Sequence, residues 1–198
     1  MTPDPLGSCD LEDYEVLVAV SGGIAAYKVC EVVSNLVQRG AGVTVAMTPA
    51  ARKFVGRTTF EALSGRRVLT SLWASDEVAD SVHIRVTAAT DLLLIAPATA
   101  NTIGKLACGI ADDLVSTLAI STDSLVAVAP AMNERMWNHP AVQRNVALLR
   151  ERGCTLVGPG RGWLACRTVG EGRMSDAAEI VTAVAAMLVA KPAKAARR

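Results

Sequence analysis

The chain has 198 residues, 51% of them hydrophobic, and a formal charge of +1 from 20 basic and 19 acidic side chains. This length and apolar content fit one domain with a large core, and the charge balance excludes an electrostatic case for nucleic-acid binding. The five cysteines (Cys9, Cys30, Cys108, Cys154, Cys166) are odd in number and scattered. Without a CxxC pair or a Cys/His cluster they suggest no disulfide framework and no metal site, and fit reduced thiols in a cytoplasm.

Residues 1–13 are polar and proline-containing, with no charged segment leading into an apolar one, and read as a flexible N-terminus without a signal peptide. No apolar run reaches the ~18 residues that a membrane span requires. The domain is expected over 14–190, with a flexible basic tail at 191–198. Within it, Glu15–Val20 is a short apolar run that predicts a strand and ends at Ser21-Gly22-Gly23. From Ile24 to Arg39, apolar residues recur at helical spacing (Ile24, Val29, Val32, Val33, Leu36, Val37), and Gly40 stands where a helix C-terminal glycine belongs. Val43–Met47 predicts the second strand, and Thr48-Pro49 a helix start with Thr as cap and Pro in the first turn. Further strands are predicted at 92–96, 125–129 and 155–157, a helix-like run from 133 to about 152, and a last helix from about 176 to 188.

Near-continuous apolar strands alternating with amphipathic helices imply a parallel sheet covered on both faces, a doubly wound α/β fold of Rossmann or flavodoxin type. Ligands of such folds lie beyond the carboxyl ends of the strands. Four unusual segments fall there: Ser21–Lys28, Thr48-Pro49, Pro97–Thr102 and Pro130–Trp137. Together they predict one site. Gly22 and Gly23 let the backbone approach a phosphate at a helix start, although the spacing is not GxGxxG and no acidic residue ends the second strand to hold a ribose. A mononucleotide such as FMN is therefore favoured over a dinucleotide. Taken alone, Ser21–Lys28 reads equally as a tight strand–helix turn, Pro97–Thr102 has a polar cap as its plain reading, and Pro130–Trp137 that of a strand-to-helix turn with a capping Asn. His139, in a turn-like Trp137-Asn-His-Pro140, reads as a surface or capping residue.

The segment Ala129-Pro-Ala-Met-Asn-Glu-Arg-Met-Trp137 resembles the PxMNxxMW signature of the flavin-dependent cysteine decarboxylases. That family includes the phosphopantothenoylcysteine decarboxylases of coenzyme A synthesis and the peptidyl-cysteine decarboxylases of lantibiotic maturation. Ala96–Thr102 and Asp112–Thr117 resemble two further family segments, and the first of them holds flavin. The resemblance covers roughly 15–174 and implies FMN as cofactor, with contacts expected from Gly22, Gly23, Ile24, Thr48, Ala50, Thr99, Ala100, Asn101, Thr102 and Ala131. His83, in a His-Ile pair ahead of the third strand, takes the family's catalytic-base position; an imidazole suits the role because its ordinary pKa of ~6.5 lies near working pH.

Gly162–Met174 reads as a glycine-rich mobile flap. It resembles the substrate clamp of the phosphopantothenoylcysteine decarboxylases, in which an Ala-Cys-Gly-Asp stretch precedes Gly-x-Gly-Arg-Met. Ala165-Cys166 and Gly170–Met174 match, while Arg167 and Thr168 replace the Gly-Asp pair. The resemblance implies Cys166 as proton donor, and Asn133, Met136, Trp137, Ala165, Arg173 and Met174 as substrate contacts. It further implies a small-molecule substrate, 4′-phosphopantothenoylcysteine, oxidised to a thioaldehyde, decarboxylated to an enethiol and reduced to 4′-phosphopantetheine. A homotrimer or a dodecamer of trimers is expected, with His83 acting on a flavin held mainly by a neighbour. The ligase that makes the substrate is expected as a separate protein. Two alternatives stand beside this reading: a peptidyl-cysteine decarboxylase, which needs no proton-donating cysteine, and a non-catalytic flavin-binding subunit that regulates a phosphatase.

Overall fold

A computed structural model describes residues 10–73 and 82–194. The expectations for residues 1–9 and 195–198, and the position of Cys9, lie outside the described residues. Five strands, β1 (Glu15–Val20), β2 (Gly42–Met47), β3 (Leu92–Ala98), β4 (Leu125–Pro130) and β5 (Thr155–Leu156), form one parallel sheet in the order β2-β1-β3-β4-β5. The helices are α1 (Val29–Gln38), α2 (Arg57–Ser64), α3 (Val82–Ala89), α4 (Ala100–Cys108), α5 (Leu114–Ser121), α6 (Glu134–Trp137), α7 (Pro140–Glu151) and α8 (Ala177–Val189). A two-stranded antiparallel hairpin, β6 (Gly160–Trp163) and β7 (Val169–Arg173), stands apart from the main sheet.

The strands are apolar throughout because both of their faces are buried. On β1, Val16, Val18 and Val20 join the core layer that includes α1 and α8, whereas Leu17 and Ala19 join the opposite layer with α4, α5 and α7. On β3, Leu92 and Leu94 divide from Leu93 and Ile95 in the same way, and all seven residues of the strand are buried. Truncating one of these leucines to alanine costs about 2–5 kcal/mol in a close-packed core. The fold is the doubly wound α/β architecture expected from the alternating pattern.

The topology also fixes where a ligand can sit. From β1 the chain crosses to β2 on one side, and from β3 it crosses to β4 on the other. The loops after β1 and β3 therefore leave in opposite directions and open a crevice between two adjacent strand ends.

Several expectations need correction. The helix expected from Ile24 is a 3-10 turn over Ile24–Lys28 followed by α1. A 3-10 turn advances three residues per turn, so Ile24 leaves the phase of the apolar stripe; it is 58% exposed. After β2, Thr48 Oγ1 accepts from Ala51 N at 3.1 Å, but the next segment is only a 3-10 turn at Ala51–Lys53, and its N-cap is Ala50 rather than Thr48. The run expected to continue to about residue 152 breaks into α6 and α7. Pro140 disfavours helical backbone at His139, which is extended (φ −66°, ψ 130°) and caps α7 by accepting from Ala141 N on Nδ1.

Both expected flexible ends are packed where they are described. Leu11 is fully buried and Asp10 pairs with Arg39. Beyond α8, Ala193 is buried, Lys194 N donates to Asp91 Oδ1 at 2.6 Å, and Lys194 Nζ reaches Asp123 at 2.7 Å. Asp91 also accepts from Glu15 N, so one carboxylate ties Lys194 to the start of β1.

Candidate active site

The crevice beyond β1 and β3 deepens into a cavity of about 690 Å³. Its floor is Gly22, Gly23 and Ile24 from the first loop and Thr99, Ala100 and Asn101 from the loop after β3. Ala131, Met132 and Asn133, after β4, form one wall together with Met136. The hairpin supplies the cover through Trp163–Cys166 and Gly172–Met174. Most of this lining is apolar, as in sites that take flat organic ligands.

Ser21 holds the two floor loops together. Its buried hydroxyl donates to Pro97 O at 2.6 Å and accepts from Thr99 N at 3.2 Å. Thr99 caps α4 in turn, its Oγ1 accepting from Thr102 N, while its carbonyl accepts from Ile103 N. The first amides of a helix have no intrahelical acceptor, so those of Ala100 and Asn101 give the cavity floor an anion-favouring character. Gly22 is obligatory on geometric grounds, since a Cβ there would lie 2.8 Å from the Ala50 carbonyl carbon.

The hairpin is fastened to the loop after β4. Met132 N donates to Gly172 O at 2.9 Å, and Glu134 accepts from Glu171 N at 3.1 Å. Gly170 admits the Glu134 carboxylate, whose Cδ would stand 2.6 Å from an added Cβ. The flap expected to be mobile is thus a docked hairpin. Its tip turns through Arg167 in left-handed backbone (φ 65°), closed by Leu164 N to Thr168 O and Arg167 N to Leu164 O.

This tip carries Cys166. Asn133, the N-cap of α6, uses Oδ1 to accept from Arg135 N at 2.8 Å and leaves Nδ2 to donate to Cys166 Sγ at 3.2 Å. Thr168 Oγ1 lies 3.0 Å from the same sulfur. The Thr168 hydrogen bond, working against desolvation and aided by Asn133 and the backbone, holds the exposed Cys166 thiol below its ordinary pKa. Burial instead pushes Cys30 and Cys154 upward. At the rim, Asp176 accepts from Lys28 Nζ at 3.2 Å and from Arg173 at 2.6 Å. The Lys28 hydrogen bond and the Arg173 charge set its carboxyl below the usual range despite partial desolvation.

Thirteen of the residues expected at the site line the cavity, and five do not. Trp137, expected over the ligand, is 8% exposed and packs in the core with α4, α5 and α7. One residue after Met136 on a helix is a rotation of about 100°, which turns Trp137 inward as Met136 faces the cavity. Thr48 and Thr102 are buried, Thr48 Oγ1 accepting from Ala51 N and Thr102 N donating to Thr99 Oγ1, and Ala50 backs Gly22 from behind. His83 sits on α3, packed against α5, and is not among the residues that line this chain's cavity. Conversely, Ser21, Tyr27, Lys28, Trp163 and Leu164 belong to the site and were not expected as site residues. Ser21 and Lys28 bound the segment already singled out, but a buried cross-link and a rim cation leave no distinctive spacing.

A model of the Flavoprotein family matches residues 7–189. The chain is 46% identical over 171 residues to the coenzyme A biosynthesis bifunctional protein CoaBC of Bacillus subtilis (strain 168), which covers 86% of this chain and 42% of that protein. It is 45% identical over 167 residues to the protein of the same name from Escherichia coli (strain K12), covering 84% and 41%. The chain therefore spans less than half the length of these relatives. Among solved structures, the FMN-dependent cysteine decarboxylase SpaF superposes with a TM-score of 0.79 at 31% identity, covering 91% of this chain and 98% of SpaF. A cysteine-to-serine variant of a PPC decarboxylase, complexed with pantothenoylaminoethenethiol, gives 0.79 at 32% identity over 86% and 96% of the two chains. By fold, site and sequence, this chain belongs to the Flavoprotein family, beside the flavin-containing cysteine decarboxylases.

Proposed function

We propose that the chain is an FMN-dependent carboxy-lyase converting 4′-phosphopantothenoylcysteine to 4′-phosphopantetheine in coenzyme A synthesis. The observation that carries this reading is Cys166 at the mouth of the cavity, 3.2 Å from Asn133 Nδ2. A thiol beside an amide that can bind a carboxylate supports reading Cys166 as the proton donor.

The residues present fit a flavin mononucleotide. Gly22 and Gly23 open the backbone to the floor, the α4 N-terminus favours a phosphate, and the apolar walls suit a flat ring system. When bound, the flavin supplies a reversible hydride acceptor. With that acceptor in place, His83 would take the proton from the substrate's sulfur as the thiol-bearing carbon is oxidised to a thioaldehyde. The carboxylate, oriented by Asn133 Nδ2, then leaves as carbon dioxide, and its electron pair ends on sulfur as an enethiolate. Cys166 would give its proton to the enethiolate carbon, and with the electrons that a bound flavin would give back the saturated thiol would form with no net redox change. Because His83 lies outside its own chain's cavity, the reading includes a homo-oligomer, a trimer or a dodecamer of trimers. In it, His83 of one subunit serves a flavin held mainly by another.

One observation favours a second reading, decarboxylation of a C-terminal cysteine in a peptide: Arg167 and Thr168 stand where the clamp resemblance has Gly-Asp. Replacing Cys166 by serine separates the two. In the coenzyme A reading, Cys166→Ser releases carbon dioxide but accumulates enethiol, and the flavin absorbance bleaches. Saturated product at the normal rate from this variant would remove Cys166 from the chemistry.

A further inference from the structure

We propose that Thr168 is a positioning residue for Cys166, its hydroxyl set to stabilise the sulfur at the moment the thiol gives up its proton. The use of that proton rests on the function proposed above; the pairing itself does not. Thr168 Oγ1 lies 3.0 Å from Cys166 Sγ, on the far side of a two-residue step whose middle residue, Arg167, is in left-handed backbone. That turn folds residue 168 back beside residue 166. The backbone bonds Leu164 N to Thr168 O (2.8 Å) and Arg167 N to Leu164 O (2.9 Å) hold the step closed. A β-branched side chain has few χ1 choices, so the hydroxyl is held in place with little loss of freedom.

Opposite Thr168, Asn133 Nδ2 approaches the same sulfur at 3.2 Å. Asn133 Nδ2 thus donates to the sulfur, and the Thr168 hydroxyl, which can give or take the hydrogen bond while the thiol is protonated, can only donate once the sulfur is an anion. A thiolate accepts hydrogen bonds more strongly than a thiol, so this arrangement favours the state that remains after proton transfer. The proton leaves Sγ for the substrate carbon, the S–H bonding pair stays on sulfur, and both neutral donors then face the anion. Of the charged groups nearby, Glu134 accepts from Glu171 N, and Arg173 and Lys28 both pair with Asp176. Arg135 and Arg161 are exposed on α6 and β6, and Arg167 is exposed on the tip itself. The direction of the Cys166 shift, with Thr168 as its largest cause, agrees with the geometry.

The test is alkylation of Cys166 by iodoacetamide across pH in the purified flavin-loaded protein, read on the Cys166 peptide by mass spectrometry. Only the thiolate reacts, so the rate reports the anion. Thr168→Val and Thr168→Ala should both slow the reaction about three-fold or more at a fixed pH below the midpoint, as loss of one hydrogen bond to sulfur implies. Thr168→Ser, which keeps the hydroxyl but not the β-branch, should bring the profile most of the way back to the wild type. With 4′-phosphopantothenoylcysteine, Thr168→Val should lower kcat for saturated product with little change in KM, and shift the pH–rate curve in the same sense as the alkylation curve. Alkylation profiles of Thr168→Val and Thr168→Ala that superpose on the wild type would overturn the proposal. No substrate enters the alkylation arm, so a protein without decarboxylase activity that still shows the shift would overturn the proposed function alone.

Discussion

Gly172→Ala should release the hairpin from the site while leaving the main sheet folded. Gly172 has φ +114°, a conformation that a side chain disfavours by about 1–3 kcal/mol. Its added Cβ would also press far inside contact with the Met132 carbonyl oxygen and lie 3.3 Å from the carbonyl carbon. Such overpacking costs about 1–3 kcal/mol more. Three hydrogen bonds hold the hairpin to the loop after β4, namely Met132 N to Gly172 O, Glu171 N to Glu134 and Asn133 Nδ2 to Cys166. At about 0.5–1.5 kcal/mol each, they total about as much as the penalty, so docking should fail. Limited trypsin digestion reads this directly, because Arg161, Arg167 and Arg173 lie on the hairpin. Early cleavage there, lost turnover and a retained flavin are the expected result. A Gly172→Ala protein with wild-type trypsin resistance and turnover would refute the docking argument.

His83→Asn should keep the flavin but abolish carbon dioxide release, measured by gas-phase detection; undiminished release would take the base role from His83. Ser21→Ala removes the buried link to Pro97 O and Thr99 N. It should cost about 1–3 kcal/mol through the unsatisfied carbonyl, seen as a lower Tm and weaker FMN retention. Asp113 gives a pH dependence. Burial alone would raise its carboxyl, but hydrogen bonds from Lys105 and Ser116 N and the Lys105 charge more than offset this and leave it below its ordinary value. A depressed folded-state pKa adds stability above the unfolded value of ~3.9 that is lost as pH falls through the folded value. The Tm gap between wild type and Asp113→Asn should therefore narrow as pH falls below about 4.

The strands were legible because two buried faces force unbroken apolar runs, as in Leu92–Ile95. The site's location was legible for the same reason: strand ends were known, and the unusual segments all followed them. Trp137 was misplaced because a motif carries adjacency, not the helical phase that sends neighbours to opposite sides. The hairpin escaped notice since Gly162, Gly170 and Gly172 read as flexibility, whereas each makes room for a specific neighbour: Arg173, Glu134 and Met132. Ser21 was passed over because its partners, Pro97 and Thr99, are 76 and 78 residues away. His83 is not among the residues that line this chain's cavity, so the cavity by itself gives it no role.

The central claim is tested most directly by incubating the purified, flavin-loaded protein in parallel with 4′-phosphopantothenoylcysteine and with a peptide ending in cysteine, and weighing the products by mass spectrometry. The account predicts carbon dioxide and saturated 4′-phosphopantetheine from the first and no change in the second. An enethiol from the peptide with 4′-phosphopantothenoylcysteine left intact, or no carbon dioxide from either, would contradict it.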